Sequence, residues 1–394
     1  MSILPDPRMP ILSDSQLSRL KAHKYASTGN TFSDAILQIW WNAVVSKMPL
    51  WVAPNLITLT GLFINCVTSA LVIGNSLQAN SNEVPPKYFF AAGIGLFIYQ
   101  TLDAIDGKQA RRTGTSSPLG ELFDHGCDSV SNLVITVSSA CAFSMGTFPN
   151  YMFFFFINNI ALFYLAHWQT YCSGCLIFNK FDVTEVQLQA IFFYIASGFL
   201  GPHFFIQQIS FLPYNLALIK YMIFLMFIGS CLYSFNAFKH IFHGGVGKNG
   251  TTVAQTSVLS PIVPLGIVIS CAFYVFKHSG ENIFENHPIL FMLMFGTSSA
   301  KLTCNLIVAS MSKSTLDMLD FCMMGPIILS VYVYFGIEIY ASYVNIPISE
   351  YYILLLGFLY TISNFVIYCV RICKEISANF GIAILTIPYT RKEN

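Results

Sequence analysis

Charged residues are scarce in this sequence. They make up 10% of its 394 residues, whereas 55% are apolar and the mean hydropathy is +0.60. A soluble globular protein has roughly 25% charged residues, because polar side chains must cover its surface. This scarcity excludes a soluble protein. Disorder is excluded as well, since 36 Phe and 20 Tyr residues supply ample apolar surface to bury.

A basic excess is also lacking. The 20 Lys and Arg residues nearly balance the 19 Asp and Glu residues, which leaves a net charge of +1. A nucleic-acid-binding protein would carry a clear positive excess, so no nucleic acid partner is expected. The 11 cysteines are scattered through apolar segments and form neither a zinc site nor a disulfide framework by spacing. Composition therefore indicates a polytopic membrane protein.

Long apolar runs are abundant. A membrane-spanning helix needs about 20 mostly apolar residues. Stretches of this kind lie at 53–74, 87–106, 120–146, 151–171, 186–204, 215–237, 258–276, 288–311, 317–339 and 351–370. We therefore predict an all-α protein with about ten transmembrane helices. The first 50 residues have no apolar core at signal-peptide spacing, so the first span is expected to be an uncleaved anchor.

The distribution of Lys and Arg predicts the orientation. Sixteen of these residues lie in the two terminal segments and in the connections after even-numbered spans, and three lie on the other side. Because positively charged connections stay in the cytosol, both termini are predicted to be cytosolic. The last four residues (391–394, RKEN) either resemble a dibasic endoplasmic-reticulum retrieval signal or form an ordinary basic tail.

The order of polar and apolar segments predicts five regions. They are a cytosolic N-terminal segment (1–50), a six-span core (51–240), a flexible cytosolic loop (241–257), a four-span region (258–372) and a cytosolic tail (373–394). Within 31–49, the apolar residues Ile36, Ile39, Trp40, Val44 and Val45 lie along one helical face. This pattern favours an interfacial helix on the membrane surface over a simple connector.

Four carboxylates are concentrated where the second span ends and the third begins; we call Asp103, Asp106, Asp124 and Asp128 the acidic cluster. On a helix, Asp106 lies about 60° from Asp103, and Asp128 lies about 40° from Asp124, so each pair shares a face. The intervening turn at 114–118 is short, which makes the two helices antiparallel neighbours. The two acidic faces are therefore expected to meet.

Facing carboxylates repel one another, and a central membrane Asp costs roughly 2.5–3.5 kcal/mol. Divalent cations that prefer oxygen ligands, such as Mg²⁺, Mn²⁺ or Ca²⁺, offset this cost. Small residues on the same faces leave room for a ligand, and Arg111 offers donors to anionic oxygens. This combination predicts metal-assisted phosphoryl transfer on a diphosphate. A solvated acidic loop is the alternative, but it would have no reason to keep its acids on two facing stripes.

The acidic cluster is part of a longer pattern, D-x2-D-G-x2-A-R-x8-G-x3-D-x3-D, which occupies 103–128. On this pattern the sequence is identified as a member of the CDP-alcohol phosphotransferase family. The string DAIDGKQARRTGTSSPLGELFDHGCDS resembles the eukaryotic choline/ethanolaminephosphotransferases in particular, as do 54–58 (PNLIT) and 182–186 (DVTEV). The ten-span plan is similar to that subgroup as well.

The resemblance implies a site and a reaction. Asp103, Asp106 and Asp124 would bind two Mg²⁺ or Mn²⁺ ions, and Asp128 would complete the metal site. CDP-choline or CDP-ethanolamine would be the donor, diacylglycerol from the bilayer the acceptor and CMP a product. The residues implied in binding the CDP-alcohol are Asn55, Gly107, Lys108, Ala110, Arg111, Gly120 and Glu121. A homodimer in the endoplasmic reticulum membrane, or in the Golgi, is also implied.

Two residues are alternatives for the catalytic base. In the family the fourth Asp, here Asp128, is the usual candidate. A carboxylate that binds a metal ion is a weak base, however, whereas the imidazole of His125 has an unperturbed pKa of roughly 6.5. His125 follows Asp124 directly and lies within reach of the same cavity. The sequence leaves both residues open.

Lys301 and a group of aromatic residues are further candidates for a functional role. Lys301 lies within a span and is either functional or paired with an acid near the start of the next span, at Asp317 or Asp320. Three aromatic residues could form a cage for a quaternary ammonium, with Glu121 supplying the acid. They are Tyr99, Trp168 and Tyr171.

Two alternative functions compete with this reaction. The first is that of a family member for another headgroup, such as inositol or serine. The second is a cation-coupled transporter, which would place its site near the bilayer midplane between repeated halves. Here the acidic cluster lies at a membrane boundary, and the sequence has no internal repeat. A transferase for choline, ethanolamine or both is therefore the function that the sequence predicts.

Overall fold

The computed structural model describes residues 10–80, 84–208, 216–243, 250–341 and 348–388. The helices are α1 (Asp14–Lys21), α2 (Asp34–Lys47), α3 (Pro54–Gly74), α4 (Pro86–Thr113), α5 (Pro118–Ala142), α6 (Pro149–Ser173), α7 (Val183–Leu200), α8 (His203–Ile206), α9 (Leu218–His243), α10 (Ile262–His278), α11 (Ile283–Asn286), α12 (Pro288–Met311), α13 (Met324–Ala341) and α14 (Glu350–Phe380). Two short strands, β1 (Ser27–Thr28) and β2 (Leu176–Ile177), pair in parallel. The prediction of an all-α fold is confirmed.

Each of the ten predicted spans corresponds to a helix. Within the described ranges, seven helices are long and apolar enough to cross a membrane: α3, α4, α6, α7, α9, α12 and α14. Two further spans are shorter apolar helices, Ile262–His278 and Phe321–Gly336. The tenth is α5, whose first turns carry several acids. The polytopic architecture is thus confirmed.

Some helix bounds differ from the predicted spans. Helix α4 continues seven residues beyond 106, and α14 continues ten residues beyond 370. Hydropathy marks the apolar part of a helix, whereas backbone hydrogen bonding extends into the polar turns that follow. The ninth span begins later than predicted, because Asp320 is extended and its carboxylate accepts a hydrogen bond from the Cys322 backbone N–H at 2.7 Å. A short 3-10 turn, Phe321–Met323, then leads into α13.

Helices α3, α4 and α5 form the centre of the predicted core. Helix α4 packs against α3 and α7, while α5 packs against α3 and α12. The contact between α3 and α4 is close at Gly95, where a Cβ atom would lie 2.1 Å from Thr68 Oγ1. Only glycine fits there without moving one helix. The two helices that carry the acidic cluster are therefore held by neighbours on several sides.

The segment predicted as an interfacial helix is helical, as α2, and its place at the membrane surface stays a prediction. The prediction that Val45 shares the face of Ile36 and Ile39 is wrong, because Val45 is buried against neighbouring helices. Its side chains Ile36 and Ile39 are 75% and 74% exposed, and Trp40 is 45% exposed. On another face, Trp41 and Val45 are buried against Ile57 of α3 and Ile105 of α4. Helix α2 therefore has one apolar face packed on protein and another that is free to contact lipid.

The connection after α9 is more ordered than predicted. Its described part packs along α6: Val253 N–H donates to the Tyr171 carbonyl at 3.0 Å, and Trp168 Nε1–H donates to the Val258 carbonyl at 2.7 Å. The prediction of a flexible loop at 241–257 therefore fails for 250–257, because these backbone groups have partners on α6. Residues 244–249 and the predicted retrieval signal at 391–394 lie outside the described residues.

A buried ion pair joins the last spans. Lys301 of α12 is 5% exposed, and its Nζ lies 2.7 Å from Asp320 Oδ1 and 2.6 Å from Asn364 Oδ1 of α14. The second carboxylate oxygen of Asp320 accepts from Asn305 Nδ2–H at 2.9 Å. Of the two acids that the sequence offered, Asp320 is the partner, whereas Asp317 is exposed. The arrangement supports the structural interpretation of Lys301.

Candidate active site

The turn between α4 and α5 has the predicted construction. Gly114 ends α4 in the left-handed conformation, with φ of +68°. Ser117 is the N-cap of α5, and its hydroxyl accepts a hydrogen bond from Gly120 N–H at 3.1 Å. Pro118 occupies the first helical position, where its missing N–H is not needed. The turn reverses the chain, so that the acidic ends of both helices lie side by side.

The four carboxylates of the acidic cluster come together as predicted. Asp103, Asp106 and Asp124 each offer an oxygen within 4.8 Å of the others. Asp124 also forms such a group with His125 and Asp128. Asp124 belongs to both sets and therefore links the carboxylates of α4 to the downstream residues of α5.

Two carboxylate oxygens in the cluster have the environment that a bound cation requires. Asp103 Oδ1 and Asp124 Oδ1 are buried, and neither has a hydrogen-bond partner among the described residues. An unpaired buried carboxylate oxygen is costly, because it has lost its water without gaining a donor. A divalent cation would neutralise both oxygens at once, and oxygen donors are the ligands that Mg²⁺ and Mn²⁺ prefer. The residues present thus fit a metal site.

The other carboxylates are oriented by hydroxyl groups. Thr58 Oγ1–H of α3 donates to Asp106 Oδ2, and Tyr99 O–H of α4 donates to Asp128 Oδ1 at 2.6 Å. Sequence reasoning missed the role of Thr58, although it lies in the PNLIT segment that supported the resemblance. Such donors fix the direction of a carboxylate and commonly support a metal site.

His125 lies between the acidic cluster and a second histidine. Its Nδ1 is 3.7 Å from Asp128 Oδ2, and its ring centroid is 5.3 Å from that of His167 on α6. The ring of Tyr25, from the N-terminal segment, lies 6.3 Å away on another side. His125 thus faces the cluster and also lines an adjoining cavity. His167 was not predicted, although a histidine inside an apolar span is a signal that could have drawn attention to it.

The small residues leave open space beside the acidic cluster. A Cβ atom at Gly107 would meet only Arg111 Nη1, at 3.6 Å, and one at Gly120 would lie 3.6 Å from Asn55 Oδ1. Asn55 therefore adjoins Gly120, as expected if both line one substrate pocket. Arg111 is exposed and Ala110 is half-buried, so both are accessible from the side of the cluster.

Three of the residues assigned to CDP-alcohol binding have partners elsewhere in the protein; the first is Asn55, whose Nδ2–H donates to the Ile384 carbonyl at 2.9 Å. Lys108 Nζ–H donates to Gln38 Oε1 at 2.6 Å and to Asn42 Oδ1 at 2.9 Å, both on α2. Lys108 lies about 140° around α4 from Asp103, because the helix advances about 100° per residue, so its ammonium points away from the cluster. Glu121 lies 2.9 Å from His23 Nε2 and is only slightly exposed. Lys108 and Glu121 therefore have protein partners in this structure, and their contacts with the substrate stay predictions.

The N-terminal segment and α5 enclose a cavity of about 450 Å³ beside His125. Its walls include Tyr25, Glu121 and His167. Three cationic residues also line the cavity; they are Arg19, Lys24 and Lys313. The cavity gives the histidine face of the cluster a route to the surroundings.

The predicted aromatic cage does not form as a unit. Trp168 and Tyr171 are buried, and their polar atoms donate to the carbonyls of Val258 and Ser314. Only Tyr99 contacts the acidic cluster, through its bond to Asp128. Trp168 and Tyr171 therefore hold the 250–261 connection and the 314 loop against α6 through these hydrogen bonds.

Comparison with known proteins agrees with this geometry. The family described as CDP-alcohol phosphatidyltransferase matches residues 51–229, a range that contains the entire acidic cluster. Cholinephosphotransferase 1 of Danio rerio is 43% identical over 384 residues, which cover 97% of this chain and 96% of the relative. Cholinephosphotransferase 1 of Homo sapiens is 42% identical, covering 95% of this chain and 89% of the relative. A Dictyostelium discoideum protein, described as an uncharacterized CDP-alcohol phosphatidyltransferase class-I family protein 2, is 29% identical over 96% of this chain and 88% of its own length.

Proposed function

Because the chain belongs to the CDP-alcohol phosphatidyltransferase family, we propose that it transfers phosphocholine from CDP-choline to the hydroxyl of diacylglycerol. The products are phosphatidylcholine and CMP. The observation that carries this proposal is the buried pair of unpartnered carboxylate oxygens on Asp103 and Asp124. A site of this kind suits a diphosphate substrate, which brings further oxygen ligands to the same cations.

The residues of the acidic cluster have distinct proposed roles. Asp103, Asp106 and Asp124 would hold two Mg²⁺ or Mn²⁺ ions, and Asp128 would complete the set. When bound, such ions neutralise charge on transferring phosphoryl groups. Thr58 and Tyr99 orient carboxylates through the hydrogen bonds described above.

Substrate binding is proposed for the open side of the cluster. Gly107, Gly120 and Ala110 leave room for the nucleotide beside the helix backbone, and the Arg111 guanidinium donates to phosphate oxygens. Asn55 adjoins Gly120 and extends the same wall. During transfer the diacylglycerol hydroxyl forms a new bond to the β-phosphorus, and the bridging P–O bond to CMP breaks. The hydroxyl proton must leave as that bond forms.

Two residues can accept this proton. Asp128 is bound to Tyr99 and belongs to the acidic cluster, whereas His125 combines proximity to Asp128 with a face on the adjoining cavity. We propose His125 as the base, because a base that also lines an access route can meet the acceptor hydroxyl.

Replacing His125 tests this assignment. We expect His125→Ala and His125→Gln to lower kcat by about 10²–10⁴-fold, the usual contribution of a general base. The Mn²⁺-induced rise in unfolding temperature should stay at its wild-type size, because the proposed metal ligands are the four carboxylates of the acidic cluster. His240→Ala, at an exposed histidine of α9, is the control and should turn over normally. Near-normal turnover of His125→Ala would leave Asp128 as the base.

Metal and headgroup preference can be measured in one experiment. Purified protein in nanodiscs that contain diacylglycerol is assayed with CDP-choline and with CDP-ethanolamine, each with Mg²⁺, with Mn²⁺ and with EDTA. We expect CMP release with CDP-choline in either metal and none in EDTA. Comparable kcat/KM for CDP-ethanolamine would extend the proposal to both headgroups. Full activity in EDTA, or no CMP release with CDP-choline in either metal, would contradict it.

The location of the active site follows from the same proposal. The acidic cluster lies at the end of the molecule where α1, the β1–β2 pair and the connection after α9 also lie, and this is the side that the Lys and Arg distribution assigns to the cytosol. We therefore propose a cytosolic active site in the endoplasmic reticulum membrane, or in the Golgi. Homodimerisation stays a prediction from the resemblance.

A further inference from the structure

Helix α4 is held on the side opposite to its metal ligands. Taking Asp103 as zero, Thr101, Lys108 and Arg112 lie at about 160°, 140° and 180° around the helix. Each of the three makes a hydrogen bond to α2, and Asp103 lies on the other side of α4. Helix α2, which is not itself a membrane span, therefore contacts the face of α4 that lies opposite to the proposed metal ligands.

The central link is the Lys108 ammonium. It donates to Gln38 Oε1 at 2.6 Å and to Asn42 Oδ1 at 2.9 Å. Gln38 and Asn42 are four residues apart in α2 and therefore lie one above the other on the same face. Hydrogen bonds from a charged donor are about twice as strong as neutral ones. One side chain of α4 is thus fixed between two turns of α2.

Further contacts make this joint rigid. Arg112 Nη1–H donates to the Val45 carbonyl and to the Met48 carbonyl at 3.3 Å, at the C-terminal end of α2. Trp40 Nε1–H donates to Thr101 Oγ1 at 3.1 Å. Between these polar contacts, the buried apolar side chains of α2 pack on Ile105. Because Ile105 precedes Asp106 directly, a shift of α2 would move the carboxylate beside it.

The other face of α2 is directed to the surroundings. Ile36 and Ile39 are about three-quarters exposed, which suits a helix lying in the membrane interface. A helix with this placement is held at a fixed depth in the bilayer. Its link to Lys108 transmits that depth to α4 at the level of the acidic cluster.

We propose that Lys108 is a positioning residue, which through Gln38 and Asn42 fixes the interfacial helix α2 against the back of α4 and so sets the placement of Asp103 and Asp106 relative to α5. It does not contact the phosphates of the substrate. This inference rests on the proposed function, since it concerns the metal site assigned there. The arrangement also explains why a lysine two residues after a metal ligand faces away from the site.

The test is a double-mutant cycle read out by metal binding. Lys108→Met removes the ammonium, and the double variant Gln38→Met with Asn42→Leu removes its partners while preserving volume. We measure the Mn²⁺ concentration that gives half the maximal rise in unfolding temperature, together with kcat and KM for CDP-choline at saturating Mn²⁺. Lys47→Met, at an exposed lysine of the same helix, is the matched control for charge. Lys108→Gln replaces the methionine variant if the latter is not monodisperse.

We expect each change to raise the half-saturating Mn²⁺ concentration about tenfold, because groups that support metal ligands typically contribute 10–100-fold to affinity. Combining all three substitutions should raise the half-saturating Mn²⁺ concentration no further than the more severe of the two variants does, since both variants break the same link. KM for CDP-choline should change by less than about twofold, and Lys47→Met should match the wild type.

Three outcomes would overturn the positioning role. The first is a large rise in KM for CDP-choline with an unchanged Mn²⁺ response. The second is a combined variant whose rise in half-saturating Mn²⁺ concentration equals the product of the two separate rises. The third is a Lys108→Met protein that behaves as the wild type. A failure of the proposed function looks different, because the wild-type protein itself would then show no stabilisation by Mn²⁺.

Discussion

Replacing Asp124 by asparagine is expected to abolish transfer while stabilising the metal-free protein. Asp124 belongs to both groups of potential ligands, and one of its oxygens is buried without a partner. The loss of activity should be about a thousand-fold or more, because a catalytic metal supplies several kcal/mol and each 1.4 kcal/mol is a factor of ten. In EDTA, removing one of several mutually repelling buried carboxylates should raise the unfolding temperature by a few degrees.

The opposite signs of these two effects make the test specific. A bound ion stabilises the folded state in proportion to the logarithm of its concentration over Kd, so the wild type should gain stability with Mn²⁺. The Asp124→Asn protein should gain little. Asp14→Asn, at an exposed acid of α1, should leave both measurements unchanged. A variant that is less stable than the wild type in EDTA, or that keeps its full Mn²⁺ response, would show that Asp124 is not a ligand.

Removing the ammonium of Lys301 is expected to cause a large loss of stability. Lys301 is buried between Asp320 and Asn364, and its Nζ lies 5.0 Å from the Tyr368 ring centroid. Lys301→Met would leave Asp320 as an uncompensated, largely buried charge, at a cost of about 3–5 kcal/mol. We therefore expect a marked fall in unfolding temperature and in the yield of monodisperse protein.

Variants of the acid partner distinguish a structural role of Lys301 from a functional one. Lys301→Met combined with Asp320→Asn should recover much of the lost stability, because neither charge is then left alone. Asp317→Asn, at the exposed acid three residues earlier, should match the wild type. If Lys301→Met folds as well as the wild type but turns over slowly, the functional interpretation of this lysine would be correct instead.

The acidic cluster could be predicted from the sequence because it is local. Asp103 and Asp106 share one helix, Asp124 and Asp128 share the next, and only a short turn separates them. Helical periodicity, one N-cap serine and one proline are sufficient to bring such residues together. Lys108, in contrast, was assigned to the CDP-alcohol on the resemblance, whereas its partners on α2 are about 70 residues away in the chain. No local pattern identifies contacts at that separation.

Asp320 and Glu121 also have partners that no local sequence pattern could identify. The sequence offered two acids for Lys301, and the choice depended on a 3-10 turn that places the Asp320 carboxylate toward α12. Glu121 was assigned to the substrate because it lies beside the cluster in the chain. His23, 98 residues earlier, pairs with it because the N-terminal segment folds back over α5.

Hydropathy, helical periodicity and motif spacing predicted the membrane environment, the spans and the chemistry proposed for the site. Each of these signals acts over a short distance along the chain. The tertiary structure was needed to show which carboxylate oxygens lack a hydrogen-bond partner and that the Lys108 ammonium faces away from the acidic cluster. It was also needed to show how α2 supports α4. Those features arise from packing between distant segments, where each polar group takes the partner that burial leaves within reach.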